Sequence, residues 1–222
     1  MSVTYLWVGA TTHTSVIVKA RVSGKVARLH VSESEDLSSP VTSEEVTVDN
    51  GVAALPLDGL DADTAYHYGV EVDGDVDREK LGRFKTHPPL GKPAEFTIAG
   101  ASCAGLDPEH PGVGDVAVPG RISNHPVFTT IRDLDPLMFF HMGDMHYYNI
   151  GSGGHVPDHD VDTYRGAIDD VFAQPNQAAL YRDVAIQYVW DDHDFGPNDS
   201  DTTSPGRENV CKVFRERVPH YE

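Results

Sequence analysis

The strongest constraint on the fold is a change of grammar at a proline-rich stretch, His87-Pro88-Pro89-Leu90-Gly91-Lys92-Pro93. Proline fixes φ and withholds an amide donor, so this stretch neither extends a strand ladder nor enters a helix, and it reads as a linker over residues 87–93. Before it, short stretches alternate polar and apolar residues with the period of a half-buried strand. These are Thr4–Gly9, Ser15–Val22, Ala27–Ser32, Glu45–Val48, Ala53–Leu57, Ala65–Val72 and Leu81–Thr86. Ser23-Gly24, Asp49-Asn50-Gly51 and Asp73-Gly74-Asp75 separate some of them; Gly, Asn and Asp accept the backbone angles that tight reversals need. The spacing predicts a β-sandwich over residues 1–86. Over residues 94–222 strands alternate with helices. A buried-type strand is expected at Phe96–Ala99, a helix at Asn124–Asp133, an apolar strand at Leu137–His141, helices at Tyr164–Phe172 and Asn176–Arg182, and a strand at Ala185–Trp190. That alternation predicts an α/β unit with a largely parallel sheet.

Charge and composition narrow the function classes. The 222 residues include 35 acidic against 17 basic side chains, a formal charge of −18, while 39% hydrophobic residues and nine tyrosines supply enough for real cores. This balance argues against a nucleic-acid-binding surface. It suits divalent cations, and equally a solvated acidic surface. Two cysteines, Cys103 and Cys211, make no disulfide framework. The opening MSVTYLWVGATTH lacks a basic region followed by a long apolar core, so no signal peptide or membrane span is expected, and a cytoplasmic location is the default expectation.

In parallel sheets the functional groups gather just beyond the carboxyl ends of the strands. Here the first such strand runs into Ala101-Ser102-Cys103-Ala104-Gly105 and the second into His141-Met142-Gly143-Asp144-Met145-His146-Tyr147-Tyr148. The third runs into Trp190-Asp191-Asp192-His193-Asp194. Three carboxylates around one imidazole repel unless a cation or solvent intervenes. A lone cysteine after a strand reads first as packing. Together, however, the ends offer a thiol, a carboxylate with a nearby phenol, and an acidic cluster with a histidine. Carboxylate oxygens suit Ca²⁺, Mg²⁺ or Mn²⁺, and thiolate and phenolate suit Fe³⁺ or Zn²⁺, so a pair of unlike metals is the natural inference. Two such ions activate a bridging water and clamp a phosphoryl group. No phosphate-binding P-loop, dinucleotide glycine pattern or Gly-x-Ser-x-Gly elbow competes with that reading. His146, His155, Asp158, His159 and Asp160 read as part of a loop overhanging the site. Arg165 reads as a surface ion pair with Asp162 and Asp169, and Cys211, inside the apolar-periodic Val210–Val218 stretch, as packing.

Four segments carry a family resemblance: FTIAGASC (96–103), HMGDMHYY (141–148), TYRGAIDD (163–170) and WDDHDFGPNDSD (190–201). They resemble the PhoD-like alkaline phosphatase/phosphodiesterase group of the calcineurin-like metallophosphoesterases. The stretch Leu57–Tyr68 resembles the pattern before the sixth strand of fibronectin type III-like domains, where a tyrosine hydroxyl ties back to the preceding corner; Tyr66 is the matching position. The implied fold is a fibronectin type III-like all-β sandwich followed by an α/β metallophosphatase domain of the α-β-β-α layered type. The implied activity is metal-dependent hydrolysis of phosphomonoesters or phosphodiesters, acting on small molecules at a mixed site of Fe³⁺ and Ca²⁺, with Zn²⁺ or Mn²⁺ as substitutes. By the resemblance Cys103 binds the first metal, Asp144 bridges both, Tyr147 binds Fe³⁺ as phenolate, and Asp192 binds the second ion. His193 steadies the phosphate and protonates the leaving alkoxide. Asp191, Asp194 and Asn198 are further candidates for the metals or for supporting contacts, Asp194 by orienting His193. Relatives also draw His and Asp ligands from later strands, and nothing after His193 matches those motifs. An incomplete site, completed only in a longer chain, and an uncovered sheet face are therefore expected. Two alternatives stand beside this: an enzyme like the purple acid phosphatases, or a non-catalytic binding sandwich with a vestigial metal domain.

Overall fold

A computed structural model describes residues 2–104, 122–151 and 159–221. Before the linker lie β1 (Val3–Gly9), β2 (Ser15–Val22), β3 (Val26–Ser32), β4 (Val41–Thr42), β5 (Val46–Thr47), β6 (Val52–Asp58), β7 (Ala65–Val72), β8 (Asp75–Val76) and β9 (Gly82–Lys85). After it come β10 (Ile98–Ala101), α1 (Val127–Asp133), β11 (Met138–Met142), α2 (Val161–Phe172), α3 (Pro175–Asp183), β12 (Ile186–Val189), α4 (Asp192–Phe195) and α5 (Arg207–Arg217). One sheet runs β10-β11-β12-β1-β2-β6. The other runs β4-β3-β7-β8, with β5 also on β3 and β9 also on β7.

The two sheets face each other over a core that includes Leu6, Val18, Leu29, Leu55, Tyr68 and Val70. Alternating side chains of each strand meet there, as the sequence period requires. The corner before β7 is tied as the sequence pattern implied: the Asp61 amide donates to Tyr66 Oη at 2.9 Å. The expected strand at Glu45–Val48 is shorter, and β4 and β5 pair separately with β3.

The first strand belongs to both halves. β1 pairs antiparallel with β2 on one side and parallel with β12 on the other, through Gly9 and Ile186. From Tyr5 to Gly9 its residues are buried on both faces. Leu6 and Val8 enter the sandwich core. Tyr5 and Trp7 enter a second core with Phe139, Phe172, Leu180, Tyr181 and Ile186. Tyr5 stacks on Phe172 at 4.1 Å, and Trp7 meets Tyr181 edge-on at 5.0 Å. Arg217 of α5, itself buried, donates to Tyr5 Oη at 2.7 Å and to the Asp169 carboxylate of α2.

Strands β10, β11 and β12 run parallel, in register from Ile98–Met138 to Ala101–His141 and from Phe139–Ile186 to Met142–Val189. Helices α1 to α3 cover the face that presents Phe139 and Ile186. The opposite face is open: Ile98, Phe140, Met142 and Val189 are 47%, 40%, 51% and 56% exposed. This corrects the reading of Phe96–Ala99 as a buried strand. β10 begins two residues later, Phe96 is exposed, and among the described residues only one face of the strand has a layer against it. Of the layered α-β-β-α arrangement, the described residues supply one sheet and one helical layer. Among them no helix is long and apolar enough to cross a membrane.

Candidate metal centre

The site begins with a close approach of two strand ends. Past β11, Gly143 adopts φ +81°. A Cβ there would lie 2.4 Å from the Asp191 Cβ and 2.5 Å from its amide nitrogen. Only glycine lets the chain after β11 turn against the chain after β12 at this distance. Asp144 follows at φ +55°, and Cys103 past β10 sits at φ +59°. Non-glycine residues seldom adopt this region, and such conformations cluster at functional sites. Two bonds extend the β10–β11 ladder around the turn: the Cys103 amide donates to Gly143 O at 3.0 Å and the Ala104 amide to Asp144 O at 2.8 Å.

Asp144 becomes the centre of the group. Its side chain is buried, and its two oxygens face different partners. Oδ2 accepts from Tyr147 Oη at 2.9 Å and faces Cys103 Sγ at 3.6 Å. Oδ1 faces the His193 amide at 3.3 Å. The rings of Tyr147 and His193 lie 4.4 Å apart. One ligand atom each from Asp144, Asp192 and His193 falls within 4.8 Å of the others. Burial, with the Cys103 thiol and the Asp144 carboxylate beside it, pushes the Tyr147 phenol well above its ordinary range; a bound cation inverts such a trend.

The segment after β12 is not a plain strand end. Asp191 caps α4, accepting from the Asp192 amide at 2.9 Å, and Asp194 completes a capping box by accepting from the Asp191 amide at 3.1 Å. Asp194 is buried and also accepts from the Asp144 amide at 2.6 Å and the Met145 amide at 2.7 Å. Burial pushes its carboxyl up to about 7, against the opposing pull of those amides. Its carboxylate therefore holds backbone. The group on the His193 ring is instead the Asn149 amide, with Oδ1 2.5 Å from Nδ1. An acceptor there keeps a proton on Nδ1 and leaves Nε2 as the free nitrogen.

Of the residues singled out in the sequence, Cys103, Asp144, Tyr147, Asp192 and His193 come together. Asp191 and Asp194 support them from α4. Asn198 lies on an exposed turn, donating to Asp199 Oδ2 at 2.8 Å, while the Asp199 amide reaches the Asp192 carboxylate. Sequence reading missed Asn149, which has no motif around it; its φ of +49° is the one local sign, since Asn tolerates that region. His146 is buried with its ring against Tyr148, not on an overhanging loop. Asp160 caps α2, accepting from the Asp162 amide at 3.2 Å, and the His159 ring fills the space beside Gly151 and Gly206. His155 and Asp158 lie outside the described residues. Arg165 pairs with Asp162 at 2.7 Å as expected. Its second partner is Glu216, at 2.7 and 2.8 Å, while Asp169 pairs with Arg217. Cys211 packs against the cluster around Phe195 and Val210.

The donors fit a metal. Among the described residues no Lys or Arg forms an ion pair with Asp144, Asp191, Asp192 or Asp194. Two carboxylates converging on an imidazole without a compensating side-chain cation are a donor set that a divalent ion satisfies. Cys103 and Tyr147, across Asp144, add a thiol and a phenol suited to a more polarising ion.

Comparisons with known proteins agree on the architecture. No protein-family model matches the sequence, and neither does any curated protein. Among solved structures, PhoD superposes with a TM-score of 0.78 over 98% of this chain and 46% of its own, at 18% identity. Purple acid phosphatase PPD1 from yellow lupin (Lupinus luteus) seeds superposes with a TM-score of 0.59 over 98% of this chain and 40% of its own, at 16% identity. The chain thus spans less than half the length of either protein. At these identities the likeness establishes the fold alone, the one this chain shares with parts of both proteins.

Proposed function

We propose that the chain supplies the first part of a binuclear metal centre for hydrolysis of phosphate mono- or diesters, with the remaining ligands coming from a longer chain. The observation that carries this reading is Asp144, whose Oδ2 faces a Cys103/Tyr147 pair, whose Oδ1 faces the His193 backbone amide, and whose carboxylate lies within 4.8 Å of ligand atoms of Asp192 and His193. In it Asp144 would be shared, Cys103 and Tyr147 would hold one ion, and Asp192 would hold the second. Ions of this kind lower the pKa of bound water and offset the charge of a phosphoryl group. Fe³⁺ suits the thiol and phenol side and Ca²⁺ the carboxylate side, with Zn²⁺ or Mn²⁺ able to substitute.

The chain's own groups divide the work. Asn149 Oδ1 accepts from His193 Nδ1 in both the neutral and the charged ring, so Nε2 is the atom that gains or gives a proton. A protonated Nε2 meets a phosphoryl oxygen and then hands its proton to the leaving alkoxide. The left-handed Asp144 and Cys103 backbones fix their side chains before any ligand arrives. Cys103 and the Trp190-Asp191-Asp192-His193 run favour a PhoD-like activity over one like purple acid phosphatase.

Metal binding is tested on this chain by calorimetric titration with Mn²⁺ and Ca²⁺. Hydrolysis of aryl mono- and diesters is tested on a chain extended to span the fold. Asp144→Asn should abolish both; His193→Ala should keep the metal and lower turnover by about 10²-fold or more. Loss of metal in His193→Ala would make His193 a ligand instead. A chain that binds neither ion overturns the proposal.

A further inference from the structure

Three backbone amides from two strand ends converge on one buried carboxylate. Asp194 Oδ2 accepts from the Asp144 amide at 2.6 Å and the Asp191 amide at 3.1 Å, and Oδ1 accepts from the Met145 amide at 2.7 Å. The side chain is buried, and the Tyr188 hydroxyl also faces it. Both oxygens are thus committed to donors that have no other partner in a strand ladder, because Gly143 and Asp144 have turned out of β11. Asp144 and Met145 belong to the turn after β11; Asp191 begins the turn after β12. Placing a carboxylate between them costs desolvation, which only full hydrogen bonding offsets.

We propose that Asp194 is a positioning residue: its carboxylate pins the turn after β11 to the turn after β12 and so sets the spacing of Asp144 to Asp192 and His193. This rests on the metal-centre reading above. The role differs from that of a ligand, since the Asp194 oxygens point into backbone. It differs also from orientation of the His193 ring, which Asn149 performs. The geometry explains why the residue is aspartate. An asparagine of the same shape offers one oxygen and one NH₂, so at least one of the three amides would face a donor. Glutamate keeps two accepting oxygens and is the residue usually found at this capping-box position.

The test uses the whole chain in Asp194→Asn, Asp194→Glu and Asp144→Asn forms, with Val31→Ala in the sandwich core as a control for general destabilisation. Mn²⁺ affinity is measured by calorimetry below each variant's unfolding midpoint, and amide proton shifts of Asp144, Met145 and Asp191 are measured by NMR in the metal-free chain. We expect Asp194→Asn to weaken Mn²⁺ roughly 10- to 100-fold, as loss of a supporting partner does elsewhere, and to move all three amide shifts upfield. Asp194→Glu should recover at least part of the affinity, and Val31→Ala should leave it unchanged. Mn²⁺ affinity unaltered in Asp194→Asn, while Asp144→Asn abolishes it, overturns this proposal and leaves the metal centre standing. An equal loss in Val31→Ala also overturns it, by reducing the effect to stability. If the unmutated chain binds no Mn²⁺, both readings fail together.

Discussion

A methyl group at position 143 has nowhere to go. At Gly143 the φ of +81° and the Asp191 backbone 2.5 Å from an added Cβ act together. At Gly59 the φ is similar, +82°, but nothing lies within 4 Å. Gly59→Ala should therefore cost about 1 kcal/mol from backbone conformation alone. Gly143→Ala should cost roughly 2–4 kcal/mol and also weaken metal binding, because the two strand ends must part. Urea unfolding of both variants measures the difference; equal losses would mean that the close approach is not what requires glycine. At this scale much of the site was legible. Gly143-Asp144 after an apolar run, and Asp191-Asp192-His193 after another, carry their chemistry in adjacent letters. Asn149 was not legible, since its contact with His193 depends on where the chain folds back and not on any local pattern. Asp194 was legible as an acid near a histidine, but its role turns on three amides that no sequence displays.

Among the elements, β1 shows where periodicity misleads. Thr4–Gly9 reads as an alternating strand of a sandwich, yet Tyr5 and Trp7 on its outer side are as buried as Leu6 and Val8. The nearly unbroken apolar run from Tyr5 to Val8 is the sign of a strand covered on both faces. Strand β11 carries the same lesson in a polar residue. His141 is buried between sheet and helix with Nδ1 against Tyr181 Oη of α3, and burial lowers its pKa from 6.5 to about 4. Because the folded value lies below the unfolded one, the neutral ring contributes stability above pH 6.5 that is lost as pH falls toward 4. Buried His146, lowered to about 4 by the same cause, acts in the same direction. Each shift corresponds to about 3 kcal/mol at most across that window. His141→Gln, which retains a partner for Tyr181, should flatten the fall in unfolding free energy between pH 7 and 4.5. An unchanged slope would show that His141 does not carry it.

For the whole molecule, the face of β10 to β12 turned away from the helices exposes large apolar side chains among the described residues. Phe140, Met142 and Val189 form part of a contiguous apolar surface on an acidic chain, and patches of this kind drive association. Phe140→Thr with Val189→Thr should reduce binding of an apolar dye and self-association in sedimentation. Folding stability should move by no more than about 1 kcal/mol, since exposed side chains contribute little. Dye binding at the unmutated level would locate the patch elsewhere. The sequence anticipated an uncovered face because residues 94–222 are too short for the usual two-sheet layered core. What it did not reveal was that the sandwich and the parallel strands share one sheet, because a strand's neighbours across a long interval leave no mark on its own letters.

The pairing of Gly9 with Ile186 sets an order of events as the chain is made. At roughly 5–20 residues per second, synthesis leaves β1 waiting about 10–35 s for β12. During that interval β1, β2 and β6 can already pair, since their contacts lie within the first 58 residues. Tyr5 and Trp7 meanwhile lack their cover. Long-range closure of this kind is entropically slow, and β12 leads directly into Asp192 and His193. Asp192 and His193 therefore join Asp144 only once β12 has been made.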